Sequence, residues 1–494
     1  MITILKIKPN TVSKLLSLWV ATLIGAYSLL YAQASPAVNS QNELPILGDS
    51  ISNTISLNQE KHLGQAWLRA LRKQTTLLDD PLLADYLETI TYRLMSLSNL
   101  TDKHLNLVII DSETINAFAV PGGIIGINSG LFLNAETEGE LAGVIAHEIA
   151  HLSQRHFARS VEEARKNQWL QGAALLASVL LIATSGSESG YAALATTQAA
   201  TIQAHLNFSR RNEQEADRLA IQTLADANID PMSVSRFFER MQKAHQYLGQ
   251  KPPEYLLTHP VTQSRIADAR ARANSYPKRY YNENLEFYLM KARVEARYSK
   301  KSISQFKAQL NKTNTIKQLM LRYTLTNMLI KAQQHAEAEQ QLNYLLKYHP
   351  QRLSLLITKA EIKLIAKDYI AAEKLLSSLY ITNPNSPPIT LLYCKSLSVN
   401  NKAKQAIRIL EAFSMKHQNS PTIWKQLAQT YSKTGDIVGV HQARAEYLYL
   451  NGKTDNAIEQ LEFALTLTGN NFPLIAKIET RRELLIKSKE ELKL

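Results

Sequence analysis

The sequence predicts a mainly α chain in two parts: an N-terminal α+β domain with a small β-hairpin or sheet, and a C-terminal α-solenoid of stacked helix pairs. Three observations predict this. Two β-branched runs, 105–110 and 124–127, precede two stretches of helical composition, 134–156 and 212–227. Beyond residue 276 the apolar positions recur every 34 residues, the length of one helix-turn-helix repeat. The expected division is 1–34 as a removable leader, 35–275 as the α+β domain and 276–494 as the repeats.

The leader comes first in the chain. Lys6, Lys8 and Lys14 precede an apolar run over 15–31 that ends in Ala32-Gln33-Ala34, a small-x-small cleavage pattern. This predicts a secretory signal cut after Ala34, with a retained membrane anchor as the competing reading of a run at the short limit for spanning. The single cysteine, Cys394, excludes a lipoprotein and any intrachain disulfide, so the fold rests on its core. A net charge of +13 makes the chain basic, which suits anionic envelope lipids. No Arg-rich arm or nucleic-acid motif accompanies that charge, so nucleic acid is not an expected partner.

The strands 105–110 and 124–127 are joined through Asn116-Ala117-Phe118-Ala119-Val120-Pro121-Gly122-Gly123, which reads as a turn. A strand edge here predicts a place for an extended substrate, held by main-chain hydrogen bonds around Asn116, Gly122 and Gly123. A purely structural hairpin is compatible with the same residues. The two glycines serve the turn rather than a phosphate, because no P-loop lysine follows.

The stretch 134–156 contains His147-Glu148-Ile149-Ala150-His151. Asn134 is the expected N-cap, Glu136, Glu138 and Glu140 sit near the positive end, and Leu141, Ile145, Ile149 and Leu152 form an apolar stripe. Residues four apart lie one above the other on a helix, so both imidazoles reach one metal ion while Glu148 projects beside them. This is the ligand spacing of a zinc peptidase. Catalytic zinc needs a third protein ligand, and Glu213 and Glu215, on the later helix 212–227, are both candidates that spacing alone does not separate.

Between the two helices lies an apolar segment, 169–184, that breaks at 185–190 and resumes as an Ala/Thr-rich stretch to about 204. It is too short to span a bilayer comfortably and reads as an amphipathic or plug-like hairpin touching a membrane or a substrate, or as a buried helical pair. After Pro252-Pro253, His259 falls in a loop. It approaches the open metal position, donates to a substrate oxyanion, or caps the helix that begins near Val261.

The repeats carry Ala338, Ala372 and Ala406, Leu342, Leu376 and Leu410, and Pro350 and Pro384 at the spacing of 34. Trp424, Leu427, Ala428, Tyr431 and Gly435 match the first helix of a tetratricopeptide repeat. About four or more repeats are expected, with one or two degenerate ones over 281–314. Stacked pairs make a concave, protein-binding surface.

Taken together, the Asn116–Gly123 segment, Gly130-Leu131, the His147–His151 motif, Glu213–Arg218 and Thr258-His259-Pro260 resemble a known family in content and order. It is the periplasmic HExxH zinc metallopeptidases with tetratricopeptide repeats, the beta-barrel assembly-enhancing (BepA-like) group, related to the HtpX and Oma-type peptidases. The resemblance implies one Zn2+ per chain held by His147, His151 and Glu215. It also implies a regulatory His259 near the metal, while Asp217 is a candidate for orienting a ligand histidine or pairing with arginine. Water activated by zinc and deprotonated by Glu148 would then hydrolyse the peptide. The implied role is periplasmic quality control of misfolded or stalled outer-membrane proteins, with the repeats recruiting substrate or the barrel-assembly machinery and peripheral membrane contact left open. The alternative is a chaperone or scaffold with latent proteolysis.

Overall fold

A computed structural model of the chain describes residues 55–166, 210–248, 254–310 and 315–491. The expected leader and the apolar segment 169–204 lie outside the described residues. No described helix is long and apolar enough to cross a membrane.

The first elements are helices α1 (Leu57–Gln74) and α2 (Pro81–Ser96). Ser56 starts α1 with a capping box to Gln59, and Asp80 caps α2 ahead of Pro81, whose missing N–H costs nothing at that position. Three strands follow: β1 (Asn106–Ile110), β2 (Ala117–Val120) and β3 (Ile124–Asn128), in the order β1-β3-β2. The two sequence-predicted strands do not form a hairpin with each other. They run parallel, Asn106 against Ile124 and Ile110 against Asn128. The hairpin is β2–β3, antiparallel, with Ala119 opposite Ile125. What read as a long turn is therefore a short strand plus a tight turn at Gly122 and Gly123, both at positive φ (82° and 77°). A Cβ on either would strike a backbone oxygen, Glu60 at 2.7 Å or His104 at 2.4 Å, so glycine is required twice over.

The sheet is buried on both faces by alternation. Val108, Ile110, Phe118 and Val120 pack with Trp67, Leu68 and Leu71 of α1. Ile109, Ala117, Ile125 and Ile127 face the main core with Leu141, Ala142, Ile145 and Ile149. The outer edge of β1 is covered by 76–78, through Leu78 N–H to Ile109 O at 2.8 Å and Asp111 N–H to Thr76 O at 3.0 Å.

Helix α3 (Gly130–Asn134) leads into α4 (Glu138–Ser153), which carries the histidine motif. Thr137, not Asn134, is its N-cap and accepts from Glu140 N–H. Asn134 instead closes the preceding turn, its Nδ2 on Gly130 O. The motif helix also ends earlier than the apolar pattern suggests. Arg155 adopts φ 50°, and α5 (His156–Lys166) starts in a new direction. Then come α6 (Arg210–Asp226), α7 (Met232–Leu248), the single turn α8 (Glu254–Thr258) and α9 (Gln263–Asn274).

From α10 (Leu285–Tyr298) and the short α11 (Ile303–Ala308) onward the chain is helical hairpins. Their first helices are α12 (Ile316–Lys331), α14 (Leu353–Ile365), α16 (Pro387–Val399), α18 (Pro421–Thr434) and α20 (Thr454–Leu467). Their second helices are α13 (His335–Tyr348), α15 (Tyr369–Thr382), α17 (Ala403–Lys416), α19 (Ile437–Leu450) and α21 (Phe472–Glu491). The periodic alanines and leucines, Ala338, Ala372, Ala406, Leu342, Leu376 and Leu410, are all buried between neighbours. One apolar core runs without interruption from Leu82 to Ile389, so α2, the motif helix and the first repeats share it. Polar ties add to that contact. Arg293 of α10 bridges Asp80 at 2.5 Å and Glu361 at 2.9 Å. Farther along, the Arg72 guanidinium donates to Leu450 O and Asn419 O, both at 3.2 Å.

A cavity of about 590 Å³ lies where α2 meets the start of α14, lined in part by Asp85, Tyr86, Glu138, Glu286 and Arg352. Burial, then Glu88 and Glu286, pushes the Asp85 carboxyl up to about 6. Because the folded state holds this proton more tightly than the unfolded chain, stability is lost as pH rises from about 4 through 6. Asp85→Asn is expected to stabilise the fold at pH 8 by at most about 3 kcal/mol, seen as a higher thermal midpoint, and to leave the midpoint unchanged at pH 4. Thermal unfolding at the two pH values checks this.

Candidate metal centre

Helix α4 is buried nearly all round where it bears the motif, and its acidic first turn and Thr137 cap fix its start. His147 and His151, one turn apart, bring their Nε2 atoms to 2.9 Å of each other. Helix α6 crosses this face and supplies a carboxylate. That carboxylate is Glu213, whose oxygens lie 3.5 Å from His147 Nε2 and 3.4 Å from His151 Nε2.

Glu215, the glutamate singled out by resemblance, is not in the cluster. Two residues turn an α-helix by about 200°, so Glu213 and Glu215 point to opposite sides of α6. The buried side of α6 is Glu213, Ala216, Asp217, Ala220 and Leu224. Glu215 lies outside it, its side chain 36% exposed, and binds Arg159 Nη1 at 2.9 Å and His156 Nε2 at 3.4 Å. The apolar stripe of α6 carried the signal that favoured Glu213, because Glu213 continues it by one turn toward the N-terminus.

His259 completes the group. It follows α8 directly, its N–H bonded to Tyr255 O at 2.8 Å, so its position is set by a helical turn rather than a free loop. His259 Nδ1 is 3.2 Å from His147 Nε2 and 3.1 Å from both oxygens of Glu213. One ligand atom from each of His147, His151, Glu213 and His259 lies within 4.8 Å of the others. Tetrahedral arms of ~2.0–2.1 Å to nitrogen and oxygen put donor atoms about 3.3 Å apart. The observed separations of 2.9 to 3.5 Å bracket that edge. All four side chains are at most 5% exposed. Three imidazoles and a carboxylate directed at one point in a buried site fit a zinc ion, and cobalt or manganese would be accepted by the same donors.

Glu148 stands beside the group, 1% exposed, with His259 Nε2 at 3.5 Å from its Oε1. Neither of its oxygens makes a hydrogen bond of ordinary geometry, although the Ala119 backbone comes close enough to favour the ionised form. Burial raises the Glu148 carboxyl, opposed by His259 and His147. A carboxylate held with free acceptor capacity and raised basicity is suited to taking a proton.

The surroundings distribute charge by position. Asp217 sits 3.0 Å from His147 Nδ1 and is gripped by Arg265 Nε at 2.7 Å and Nη2 at 2.8 Å. It is thus placed to orient the His147 ring while pairing with an arginine. Arg265 Nη1 also reaches Glu213 at 2.9 Å. Against the penalty of burial, Asp217 and Glu213 push His147 up to about 10, whereas burial, with His147 and His259, pushes His151 down to about 3. Burial works to raise the Glu213 carboxyl, yet the imidazoles, His259 foremost, drive it well below its usual range.

The remaining candidates lie nearby in the fold. Asn116 is fully buried, its Nδ2 3.4 Å from Glu254 Oε2 and its backbone oxygen accepting from Asn128 N–H at 2.9 Å. Gly122 and Gly123 form the β2–β3 turn. Sequence reasoning missed His156, which lies under His151 with Nδ1 to Nδ1 at 2.8 Å.

Comparison with known proteins agrees with this chemistry. Residues 81–273 match Peptidase family M48, and residues 363–430 match a tetratricopeptide repeat family. The chain is 34% identical over 434 residues to a putative beta-barrel assembly-enhancing protease of Vibrio cholerae, covering 87% of this chain and 89% of that one. It is 33% identical over 449 residues to the beta-barrel assembly-enhancing protease of Escherichia coli (strain K12), covering 90% and 91%. A mitochondrial metalloendopeptidase OMA1 of Schizosaccharomyces pombe is 30% identical over 229 residues, 45% of this chain and 64% of that one. With identity of this order along nine-tenths of its length, the chain belongs to the beta-barrel assembly-enhancing proteases of Peptidase family M48 and is a zinc-dependent metallopeptidase.

Proposed function

We propose that the chain is a periplasmic endopeptidase of outer-membrane protein quality control, in which His147, His151 and Glu213 hold zinc, Glu148 is the general base and His259 closes the site at rest. The observation that carries this reading is the four-donor cluster with Glu148 alongside it. Three donors match the ligand count of a catalytic zinc, and the fourth, His259, stands in the position such a zinc keeps open. Zinc bound there supplies a lowered water pKa and polarises the scissile carbonyl. Glu148 takes the proton from the attacking water and passes it to the leaving amine. Asp217 and Arg265 keep His147 in one orientation through both steps.

Strand β2 is the substrate platform in this reading. Its inner edge pairs with β3, and among the described residues Ala117–Val120 make no backbone hydrogen bonds on the other edge. Ala119 on that strand lies against Glu148. A peptide added there as a fourth strand would pass the zinc with its main chain, largely independent of its sequence. Asn116 and the Gly122-Gly123 turn fix the two ends of the strand.

The leader 1–34 would deliver the protein to the periplasm, where residues 35–275 act on substrate and 276–494 recruit it. The relatives' names point to barrel assembly, and misfolded or stalled outer-membrane proteins and the assembly machinery are the partners proposed for the repeats. For the apolar segment 169–204, outside the described residues, contact with a membrane or a substrate is proposed from its composition alone. The seating of His259 also favours a second reading, a chaperone or scaffold for barrel assembly whose proteolysis is latent.

His259→Ala separates the roles left to that residue. It is expected to keep zinc and to raise cleavage of casein or an unfolded barrel protein by about tenfold, the release of roughly 1.4 kcal/mol of closure. Loss of cleavage with zinc retained would show instead that His259 works in the chemical step.

A further inference from the structure

We propose that His156 is a positioning residue of the metal centre, fixing the tautomer and ring plane of His151 and itself fixed by Glu215. The proposal rests on the assignment of His151 as a zinc ligand. The contact does not arise from helical spacing. Residues five apart on one helix are separated by about 140° and cannot meet. His156 reaches His151 because the backbone reverses at Arg155 (φ 50°) and α5 starts beneath the end of α4. The reversal is itself anchored, with Arg155 Nη2 on Glu60 at 2.9 Å and on Ile55 O at 2.7 Å. The two rings stand edge to face, centroids 4.8 Å apart, and His156 is fully buried.

The proton arrangement follows from the metal. His151 Nε2 faces the donor cluster, 2.9 Å from His147 Nε2, and must present a lone pair there. A neutral ring then carries its proton on Nδ1, which faces His156 Nδ1 at 2.8 Å. Two nitrogens at that distance share one proton, so His156 must accept at Nδ1 and hold its own proton on Nε2. That Nε2 points to Glu215 Oε2 at 3.4 Å, and Arg159 Nη1 holds the same oxygen at 2.9 Å. The two ligand histidines are thus supported differently. His147 leans on a buried carboxylate, Asp217, and His151 on a neutral imidazole whose carboxylate lies one residue further out. Among the described residues, Glu215 connects to the metal site through His156.

The test compares zinc affinity, by chelator competition, in the full-length parent, His156→Leu and His156→Asn. Leucine removes the acceptor, and asparagine keeps an oxygen near the Nδ1 position. His156→Leu is expected to weaken zinc binding about 10–100-fold, and His156→Asn to restore most of it. Equal affinity in His156→Leu and parent overturns the proposal, and so does equal weakening by leucine and asparagine, which is what a packing role would give. Nitrogen-15 spectra of histidine-labelled parent need no variant. They are expected to show His156 protonated at Nε2 alone, and a proton on its Nδ1 overturns the proposal. A parent that binds no zinc would fail the ligand assignment itself, a different result from a zinc-binding parent indifferent to His156.

Discussion

A Glu148→Gln protein is expected to bind one zinc per chain as the parent does and to lose peptide hydrolysis by about 10²–10⁴-fold, the usual worth of a positioned base. Glutamine keeps the size of the side chain in a site where Glu148 is 1% exposed, so the fold has no reason to change. Of Glu148, Glu213 and Asp217 it removes the one carboxylate that no arginine holds, with His259 Nε2 at 3.5 Å from its Oε1. Glu213 and Asp217 are both bound by Arg265, and neither is free to move a proton. Zinc stoichiometry and cleavage measured on the same preparation check the prediction. Parallel loss of zinc and activity would mean that Glu148 is a structural member of the site.

Replacement of Glu213 is expected to act on the metal and replacement of Glu215 is not. Glu213→Gln exchanges a charged donor for a weak neutral one at the point where three imidazoles converge. Zinc affinity should fall by more than the about 10–100-fold that outer partners cost, and activity should vanish with it. Glu215→Gln leaves the four donors untouched and disturbs a half-exposed contact to His156 and Arg159, so affinity should change by only about threefold. The two glutamates are separated by one residue in sequence, which makes the pair a stringent comparison. Chelator competition on both proteins resolves it.

The sequence made the motif helix legible because its information is local. Two histidines and a glutamate within five residues need only an α-helix to become a metal site, and the apolar stripe announces that helix, although its cap is Thr137 and not Asn134. The repeats were legible for a related reason. Each period buries its alanine and leucine against the next copy, so the spacing of 34 is itself a packing statement. Glu213 was harder to choose. Its side of α6 is polar at the first turn, and only continuation of the Ala216, Ala220 and Leu224 stripe points it inward. His156 was not visible at all, since it depends on a left-handed residue, Arg155, that no propensity marks. β2 was concealed by the glycines and proline that follow it. Its pairing with β3 depends on where the turn falls, and β1 pairs parallel to β3 through contacts that adjacent residues do not encode.

The repeats and the motif helix share one apolar core. Arg72, Arg293 and the apolar cluster tie α1 and α2 to helices of the repeats, and Asn284 Nδ2 donates to Glu138 in the first turn of the motif helix at 2.7 Å. The repeats are thereby part of the same framework that positions the motif helix.

The most direct test is anomalous diffraction at the zinc edge from crystals of the zinc-loaded protein. One peak per chain is expected, bonded at about 2.0–2.2 Å to His147 Nε2, His151 Nε2 and a Glu213 oxygen, with Glu215 remote from it. A peak coordinated by Glu215, or one placed away from the His147–His151 pair, would contradict this ligand assignment.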